Sequence, residues 1–326
     1  MANETKKLRQ AANEVSGSGY LKDYDLKYVT TDNGDTVIKG DITISVDTQK
    51  SFKLKVYCPK KTSDGKESKT YPYFDNLITQ GEDSDSMQNI LKKHSEAGAE
   101  LTKEQAMAMA RKVFVKGTLS PWERLDENDI VHTSQDIRVS FMGDASTERE
   151  FKPEISFKCE VFINALKVEK DENEENTGRG ILVGTLPLYN GEVASFEAII
   201  RAKDRESVFN NYDAGKTVEI YGIFDVQITE VEDVAPVQLA FGQAPEKSPS
   251  TKFKTELVLT GGSVAYSAQN EKSYKREDIE EARAAKMEKL QEAKMAYETN
   301  KNKKEESSST IAPASPLPRR GTFNFG

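Results

Sequence analysis

Lysine and aromatic side chains are combined in one stretch of the sequence, Ser51 to Phe74. Apolar residues occupy every second position from 52 to 58, and Lys53, Lys55 and Tyr57 lie between them. Because side chains alternate across a strand, the pattern predicts one buried face and one face of lysine and tyrosine. Cations that follow a phosphate backbone and rings that stack on bases are what single-stranded nucleic acid binding requires. A half-exposed strand with a solvated loop is the alternative.

The segment that follows this strand adds more residues of the same two kinds. The candidates are Lys60, Lys61, Lys66 and Lys69, followed by Tyr71 and Tyr73. We expect the lysines to lie on a loop and the two tyrosines to begin a further strand.

Motifs for catalysis, cofactors or metals are not found in the sequence. Neither GxxxxGK[ST] nor HExxH occurs, and no cysteine lies near His94 or His132. The acidic run Glu82 to Asp85 could hold a cation, but it lacks the EF-hand spacing, and an acidic loop or helix start also explains it. We therefore expect a protein that is not an enzyme and that has no cofactor and no metal site.

Composition limits the class of protein. A length of 326 residues allows two domains with extensions, and 36% hydrophobic against 31% charged residues favours some length outside a core. A net charge of −8 argues against nucleic acid binding by the whole surface but allows a local basic groove. Two cysteines give no disulfide framework, and no signal peptide or membrane span is recognised. These features predict a cytoplasmic protein, in the host cell if viral, with no membrane partner.

The two ends differ from the middle of the chain. Residues 1–19 are polar and end in Ser-Gly-Ser-Gly, which predicts a flexible N-terminal arm. Residues 270–300 contain a run of strong helix formers from Arg276 to Thr299. Residues 301–326 are rich in Ser, Pro and Lys and predict a disordered tail, which ends with Phe323 and Phe325.

Between these ends, the same order of elements is predicted twice. Alternation predicts a first strand over Thr36 to Asp47, helical spacing follows between Gln80 and Arg111, and alternation returns after it. Residues 155–260 give three strands, a helix and two strands again. The matched segments are Cys58-Pro59 with Leu186-Pro187, Tyr71 to Ile78 with Val193 to Ile200, and Val113, Val115 and Gly117 with Val218, Ile220 and Gly222. A divergent duplication explains this pattern, and chance similarity of strand-rich segments is the alternative.

Five short strands with a helix between the third and the fourth are the order of the OB-fold. With this order, its lysine and tyrosine face and its polar tail, the chain resembles bacteriophage single-stranded DNA-binding proteins with tandem OB domains. The resemblance implies a mainly β fold of two OB-fold-like five-stranded barrels in tandem, a C-terminal helix and a disordered tail. The expected barrels cover residues 20–150, with a helical insert, and residues 151–265.

The same resemblance implies a function and a set of contacts. The function is binding and protection of single-stranded DNA during replication or recombination. The contacts are Lys53, Lys55 and Tyr57 on strand two, the loop lysines, Tyr71 and Tyr73 on strand three, and Trp122 and Arg124 after strand four. A core or hinge role for Trp122 remains an alternative, since tryptophan is often largely buried.

Two departures from the family bear on partners. The second copy has no outward lysine or aromatic residue over Ile181 to Leu186, which favours packing or dimerisation of that module, so a homo-oligomer is allowed. Arg319 and Arg320 stand before Phe323 and Phe325, where bacterial-type proteins of this class carry a dense acidic run. Phe323 and Phe325 remain candidates for docking to replication or recombination proteins. The alternative function is a protein–protein adaptor or virion structural protein built on a β scaffold.

Overall fold

The computed structural model describes residues 8–62, 64–146, 150–171, 173–231 and 250–308. The described chain is mainly β. Its strands are β1 (Asn13–Thr30), β2 (Thr36–Ser45), β3 (Ser51–Pro59), β4 (Lys112–Leu125), β5 (Val131–Asp144), β6 (Glu154–Lys170), β7 (Asn176–Pro187), β8 (Val193–Ile200), β9 (Thr217–Val231) and β10 (Ser250–Gly262). Its helices are α1 (Tyr71–Gln80), α2 (Met87–Glu96), α3 (Lys103–Met109), α4 (Ala202–Asn211) and α5 (Arg276–Ser308).

The strands pair into two closed rings with the same connectivity. In the first ring β1 pairs with β2, β2 with β3, β3 in parallel with β5, β5 with β4, and β4 with β1. In the second ring β6 pairs with β7, β7 with β8, β8 in parallel with β10, β10 with β9, and β9 with β6. We call them the first ring and the second ring. The predicted order of three strands, a helix and two strands is therefore confirmed for the second copy. In the first copy the same order is present, but β1 was not predicted, so Lys53, Lys55 and Tyr57 lie on the third strand and not on the second as expected.

The first strand of each ring also joins the two rings. Asn13 to Ser18 of β1 pairs antiparallel with Glu154 to Cys159 of β6. Close to this seam Phe224 makes edge contacts with Phe52 of the first ring and Phe157 of the second, at centroid distances of 6.0 and 5.8 Å. Buried side chains of both rings form one hydrophobic cluster. The rings consequently share a core.

A matching bulge in each ring supports the duplication. Ser140 of β5 is an extra residue opposite Gly117, and Thr260 of β10 is an extra residue opposite Gly222. A Cβ at Gly117 would lie 2.2 Å from the carbonyl oxygen of the facing strand, and one at Gly222 would lie 2.5 Å from the equivalent oxygen. Only glycine permits both approaches, so the predicted match of these two glycines has a physical cause.

The flexible arm predicted over residues 1–19 is wrong for residues 13–19, which belong to β1. The Ser-Gly-Ser-Gly sequence suggested flexibility, but its glycines allow close strand contacts. A Cβ at Gly17 would lie 2.3 Å from the Glu154 carbonyl oxygen, and one at Gly19 would lie 2.4 Å from Ile44. The strand expected over Thr36 to Asp47 is thus the second of its ring.

The strand expected at Tyr71 to Ile78 is also wrong, because these residues begin α1. Pro72 stands in the first turn, where its missing N–H costs nothing, and Phe74 and Leu77 are buried at helical spacing. The match of this segment with Val193 to Ile200 fails accordingly. The counterpart of β8 is β3.

Helices account for most of the extra length of the first copy. Met87, Ile90, Ala106 and Ala110 of the α2–α3 region form a small second core. Thr102 caps α3, since its hydroxyl accepts from the Gln105 backbone N–H. In the second ring α4 confirms the helix expected there.

The helix predicted from Arg276 to Thr299 is confirmed and continues to Ser308 in α5. Residues 309–326, with Phe323 and Phe325, lie outside the described residues. Over the part of the chain that the structure describes, no helix is both long and apolar enough to cross a membrane. Cys58 and Cys159 are buried free thiols.

A buried carboxylate fixes the N-terminal segment of the described chain and the segment before α5 to the second ring. The Glu160 side chain is 1% exposed and accepts from the Arg9 guanidinium at 2.8 Å and from the Ala12 backbone N–H at 3.0 Å. Lys272 lies 3.6 Å from its other oxygen. Burial raises the pKa of Glu160, but the combined effect of these partners lowers it by more, so the net pKa lies below its usual value.

We expect Glu160→Gln to lower the free energy of unfolding by about 1–3 kcal/mol at pH 7, because the hydrogen bonds lose their charged acceptor. A depressed pKa in the folded state contributes stability above the unfolded pKa, and this is lost as pH falls through the folded value. The wild-type advantage should therefore shrink below about pH 4. Urea unfolding of both proteins from pH 7 to pH 3 measures it, and a pH-independent difference would contradict this role.

Candidate nucleic-acid interface

A surface groove of about 950 Å³ crosses the outside of the first ring. All five strands of the ring contribute to it. Its lining consists of Asp25, Lys27, Val29, Lys39, Gly40, Asp41, Lys55, Val56, Tyr57, Ser120, Pro121, Trp122, Asp136 and Arg138. We call it the first-ring groove. It contains four cationic side chains and two aromatic rings.

One side of the first-ring groove is a row of cations and one ring. Lys27 of β1 is the register partner of Lys39 of β2, and Lys39 is the register partner of Tyr57 of β3. All three side chains are exposed. Among the residues that the structure describes, neither Lys27 nor Lys39 has an ion-pair partner. Both remain available for phosphate.

Tyr57 and Arg138 form a stacked pair in the first-ring groove. The Arg138 guanidinium carbon lies 5.1 Å from the centroid of the Tyr57 ring, within the range of a cation–π contact. Parallel pairing of β3 with β5 places Lys55 beside Arg138. A planar cation and an aromatic ring are therefore presented together, and either can stack on a base.

Trp122 lies in the first-ring groove and is 57% exposed. This exposure excludes the core role that the sequence left open. β4 continues to Leu125, so Trp122 and Arg124 lie on this strand, and their expected position after it is wrong. Arg124 is exposed opposite His132, outside the groove lining.

Lys53 and Lys55 share one carboxylate. Each ammonium lies 2.9 Å from an oxygen of Asp41 on the neighbouring strand. Burial raises the pKa of Asp41, but the hydrogen bonds from both lysines lower it more, so its net pKa falls. The predicted outward face of β3 is thus present. Lys55 lines the groove, whereas Lys53 lies just outside its lining.

The loop lysines continue from β3, beyond the groove. The loop folds back on itself, since the Ser68 N–H donates to the Lys60 carbonyl and the Thr62 N–H donates to the Lys66 carbonyl, at 2.9 and 2.8 Å. Its four lysines are exposed, and Lys66 pairs with Asp64 at 2.8 Å. They are Lys60, Lys61, Lys66 and Lys69.

Tyr71 and Tyr73 lie on α1 and pack against the main core. Burial is the main cause of the raised pKa of both hydroxyls. Neither residue belongs to the lining of the first-ring groove. The structure therefore separates these two tyrosines from Tyr57 and Trp122.

Strand register identifies the equivalent surface of the second ring, which we call the second-ring face. Ile199 pairs with Val258 where the first ring pairs Lys55 with Arg138. Ile181 stands opposite Ile199 where Asp41 stands opposite Lys55. Three charged positions of the groove are therefore apolar in the second ring.

The second-ring face is also covered. A cavity of about 430 Å³ on it is lined by His132, Thr133 and Gln135 of β5 and by Arg283 of α5. Gln135 donates from Nε2 to the Ser195 carbonyl at 3.3 Å, and the Ser195 N–H donates to the Glu123 carboxylate at 2.6 Å. The β4–β5 hairpin of one ring thus closes the corresponding face of the other.

Helix α5 completes this cover through ion pairs. Lys289 lies 2.8 Å from Glu192, and Lys294 lies 2.7 Å from Asp129 at the tip of the β4–β5 hairpin. Leu290 of α5 lines a small cavity against β4 and β8. The N-terminal half of α5 therefore connects the two rings.

Three cations of the groove were missed from the sequence: Lys27, Lys39 and Arg138. Lys39 follows buried Ile38, and Arg138 lies between buried Ile137 and Val139. Alternation indicated these outward positions once the strands were recognised. Lys27 could not be predicted from the sequence because β1 was not recognised as a strand. Metal-binding clusters of three or more His, Cys, Asp or Glu side chains are absent from the described ranges.

Comparisons with known proteins give one family match. The model of the YorF family matches residues 11–296. No curated protein sequence matches. Among solved structures, the wild-type single-stranded DNA binding protein from Thermus aquaticus aligns at 9% identity and a TM-score of 0.42, covering 81% of this chain and 97% of that one. A deletion mutant of that protein aligns at 9% identity and a TM-score of 0.40, covering 81% and 99%. At such TM-scores these likenesses carry no argument here.

We expect Leu290→Asp to loosen the N-terminal half of α5 and to leave both rings folded, because a charge would replace an apolar contact with β4 and β8. Met295→Asp is the matched control, since Met295 is 64% exposed on the same helix. Hydrogen exchange measured by mass spectrometry should be faster in α5 of the first variant alone. Equal α5 protection in the two variants would show that this contact does not hold the helix.

Proposed function

The chain belongs to the YorF family, and we propose that it binds single-stranded DNA in the first-ring groove without catalysing a reaction. The observation that carries the proposal is one exposed lining that combines Tyr57, Trp122 and Arg138 with Lys27 and Lys39. Stacking of bases on aromatic rings and attraction of phosphates to cations are the two interactions that hold a single strand, and this lining offers both. A duplex hides its base faces and cannot use Trp122 in this way.

The contrast between the rings supports binding through one module. In the second ring the equivalent face has Ile199 and Val258 in place of Lys55 and Arg138, and it is covered by β5 and α5. The ring connectivity is that of an OB-fold, so we propose two OB-like domains, the first beginning with β1 rather than at residue 20. The first domain binds DNA, and the second supports it.

Charge favours a site of limited extent. The chain carries a net charge of −8, so its average field repels DNA, and screening confines attraction to the immediate surroundings of the groove. The exposed lysines of the 60–69 loop, which begins next to β3, extend the positive surface from the Tyr57 end. We propose that this loop follows the DNA backbone beyond the groove. Lys53 adds a further cation beside Lys55.

The biological role follows from binding that depends on stacking and charge rather than on one defined base sequence. We propose that the protein coats single-stranded DNA during replication or recombination in the cytoplasm of a bacteriophage-infected cell. Phe323 and Phe325 are proposed as docking residues for a replication or recombination protein, and self-association is allowed. An adaptor or virion structural role is the alternative. It would require protein binding that depends on the tail in a chain that has no affinity for oligonucleotides.

We expect Tyr57→Ala to weaken the binding of a single-stranded oligonucleotide by about 1–3 kcal/mol, because a stacking surface is lost. Tyr189→Ala is the matched control, since Tyr189 is 71% exposed on the second ring. Fluorescence anisotropy of a labelled oligonucleotide measures both affinities, and Trp122, the only tryptophan, should be quenched on binding.

The salt dependence of wild-type affinity is the accompanying control. Log affinity should fall against log salt with a slope of about −0.7 for each neutralised phosphate. Absence of binding at low salt would end the proposal. An equal loss of affinity in the two tyrosine variants would show that the DNA does not bind in the first-ring groove.

A further inference from the structure

Resting on the proposed function, we infer that the first-ring groove prefers bases that carry an exocyclic amino group, and that Asp25 and Asp136 select them. Both carboxylates line the groove together with Lys27, Lys39 and Arg138. A site that bound only phosphate would gain nothing from these negative charges.

A third groove carboxylate, Asp41, differs from these two. Its oxygens are taken by Lys53 and Lys55, at 2.9 Å each. Within the described residues, Asp25 and Asp136 have no ion-pair partner, and the one side-chain bond of Asp136 is accepted from the Ser134 hydroxyl at 3.0 Å. Two carboxylates therefore keep acceptor capacity toward a ligand.

Asp25 lies close to this third carboxylate. It stands directly opposite Asp41 in the register of β1 and β2, and the ammonium groups of Lys53 and Lys55 offset the repulsion between the two carboxylates. Two residues further along β1, Lys27 stands opposite Lys39. Across β1 and β2 the groove thus has a pair of carboxylates beside a pair of lysines.

The lysines and the carboxylates favour different parts of the ligand, the lysines its phosphates and the carboxylates its bases. Phosphates are attracted to Lys27 and Lys39 and repelled from the carboxylates. The bases then lie toward Asp25 and Asp136, in a groove that Tyr57 and Trp122 also line. In a single strand the Watson–Crick edges of the bases are free to be contacted.

Carboxylates distinguish bases by their donors. Asp and Glu accept from the N4 amino group of cytosine, and adenine and guanine also carry amino donors. Uracil and thymine place carbonyl oxygens around a single ring N–H, so a carboxylate meets repulsion on both sides of that donor. The groove should accordingly favour cytosine over uracil, two bases that differ by one amino group in place of one oxygen.

The test compares oligonucleotides of 2′-deoxycytidine and 2′-deoxyuridine, each about 30 nucleotides long so that it exceeds the footprint of one OB-like module. Competition measured by anisotropy should show wild-type protein binding deoxycytidine at least about fivefold more tightly, the ratio that corresponds to one base contact of about 1 kcal/mol. In Asp25→Asn/Asp136→Asn the ratio should fall toward one.

Asp23→Asn is the matched control. Asp23 is an exposed carboxylate on the same strand, opposite Thr43 and outside the groove lining, so its loss removes a charge without removing a groove acceptor. It should raise the affinity for both oligonucleotides alike and keep their ratio. Equal wild-type affinities, or a ratio that survives in the double variant, would overturn the base preference and leave the proposed function intact. Failure of the wild-type protein to bind either oligonucleotide would instead contradict both the base preference and the proposed function.

Discussion

The structure depends on one shared strand segment. Residues 13–18 of β1 pair with β6 of the second ring, and residues 15–17 among them also pair with β4 inside the first ring, so these three are bonded on both sides. Asn13 reinforces the junction, because its amide both donates to and accepts from the Leu119 backbone, at 2.8 and 2.9 Å. Small residues are needed where three strands meet, which explains the glycines of this segment. Because of this pairing, the two rings cannot move as independent rigid bodies.

The fixed arrangement makes the two rings unequal. The β4–β5 hairpin projects from the first ring onto the second-ring face, and α5 closes it further through Lys289 and Lys294. The same hairpin leaves Trp122 exposed on the opposite side, in the first-ring groove. A duplicated module has thus become a pair in which one copy presents charge and aromatic rings and the other presents apolar contacts.

Local pattern predicted part of this architecture, and non-local contacts determined the rest. The outward face of β3 followed from strict alternation, and the helix and last two strands of each copy followed from spacing. β1 was missed because its glycines are required by close contacts with Glu154 and Ile44, which are distant in sequence. Tyr71 and Tyr73 were misplaced because an aromatic run with one proline suits a strand or a helix start. The approach of Arg138 to Tyr57 and the cover on the second ring arise from strand order, which periodicity does not encode.

The most direct test of the account is to map where a single strand lies. Ultraviolet cross-linking of a deoxycytidine oligonucleotide that carries 5-iododeoxycytidine to the full chain, followed by mass spectrometry of the adducts, locates the contact residues. The account predicts adducts at Trp122 and Tyr57 and none on β7 or β8. Adducts concentrated on the second ring, with the first-ring groove unmodified, would contradict it.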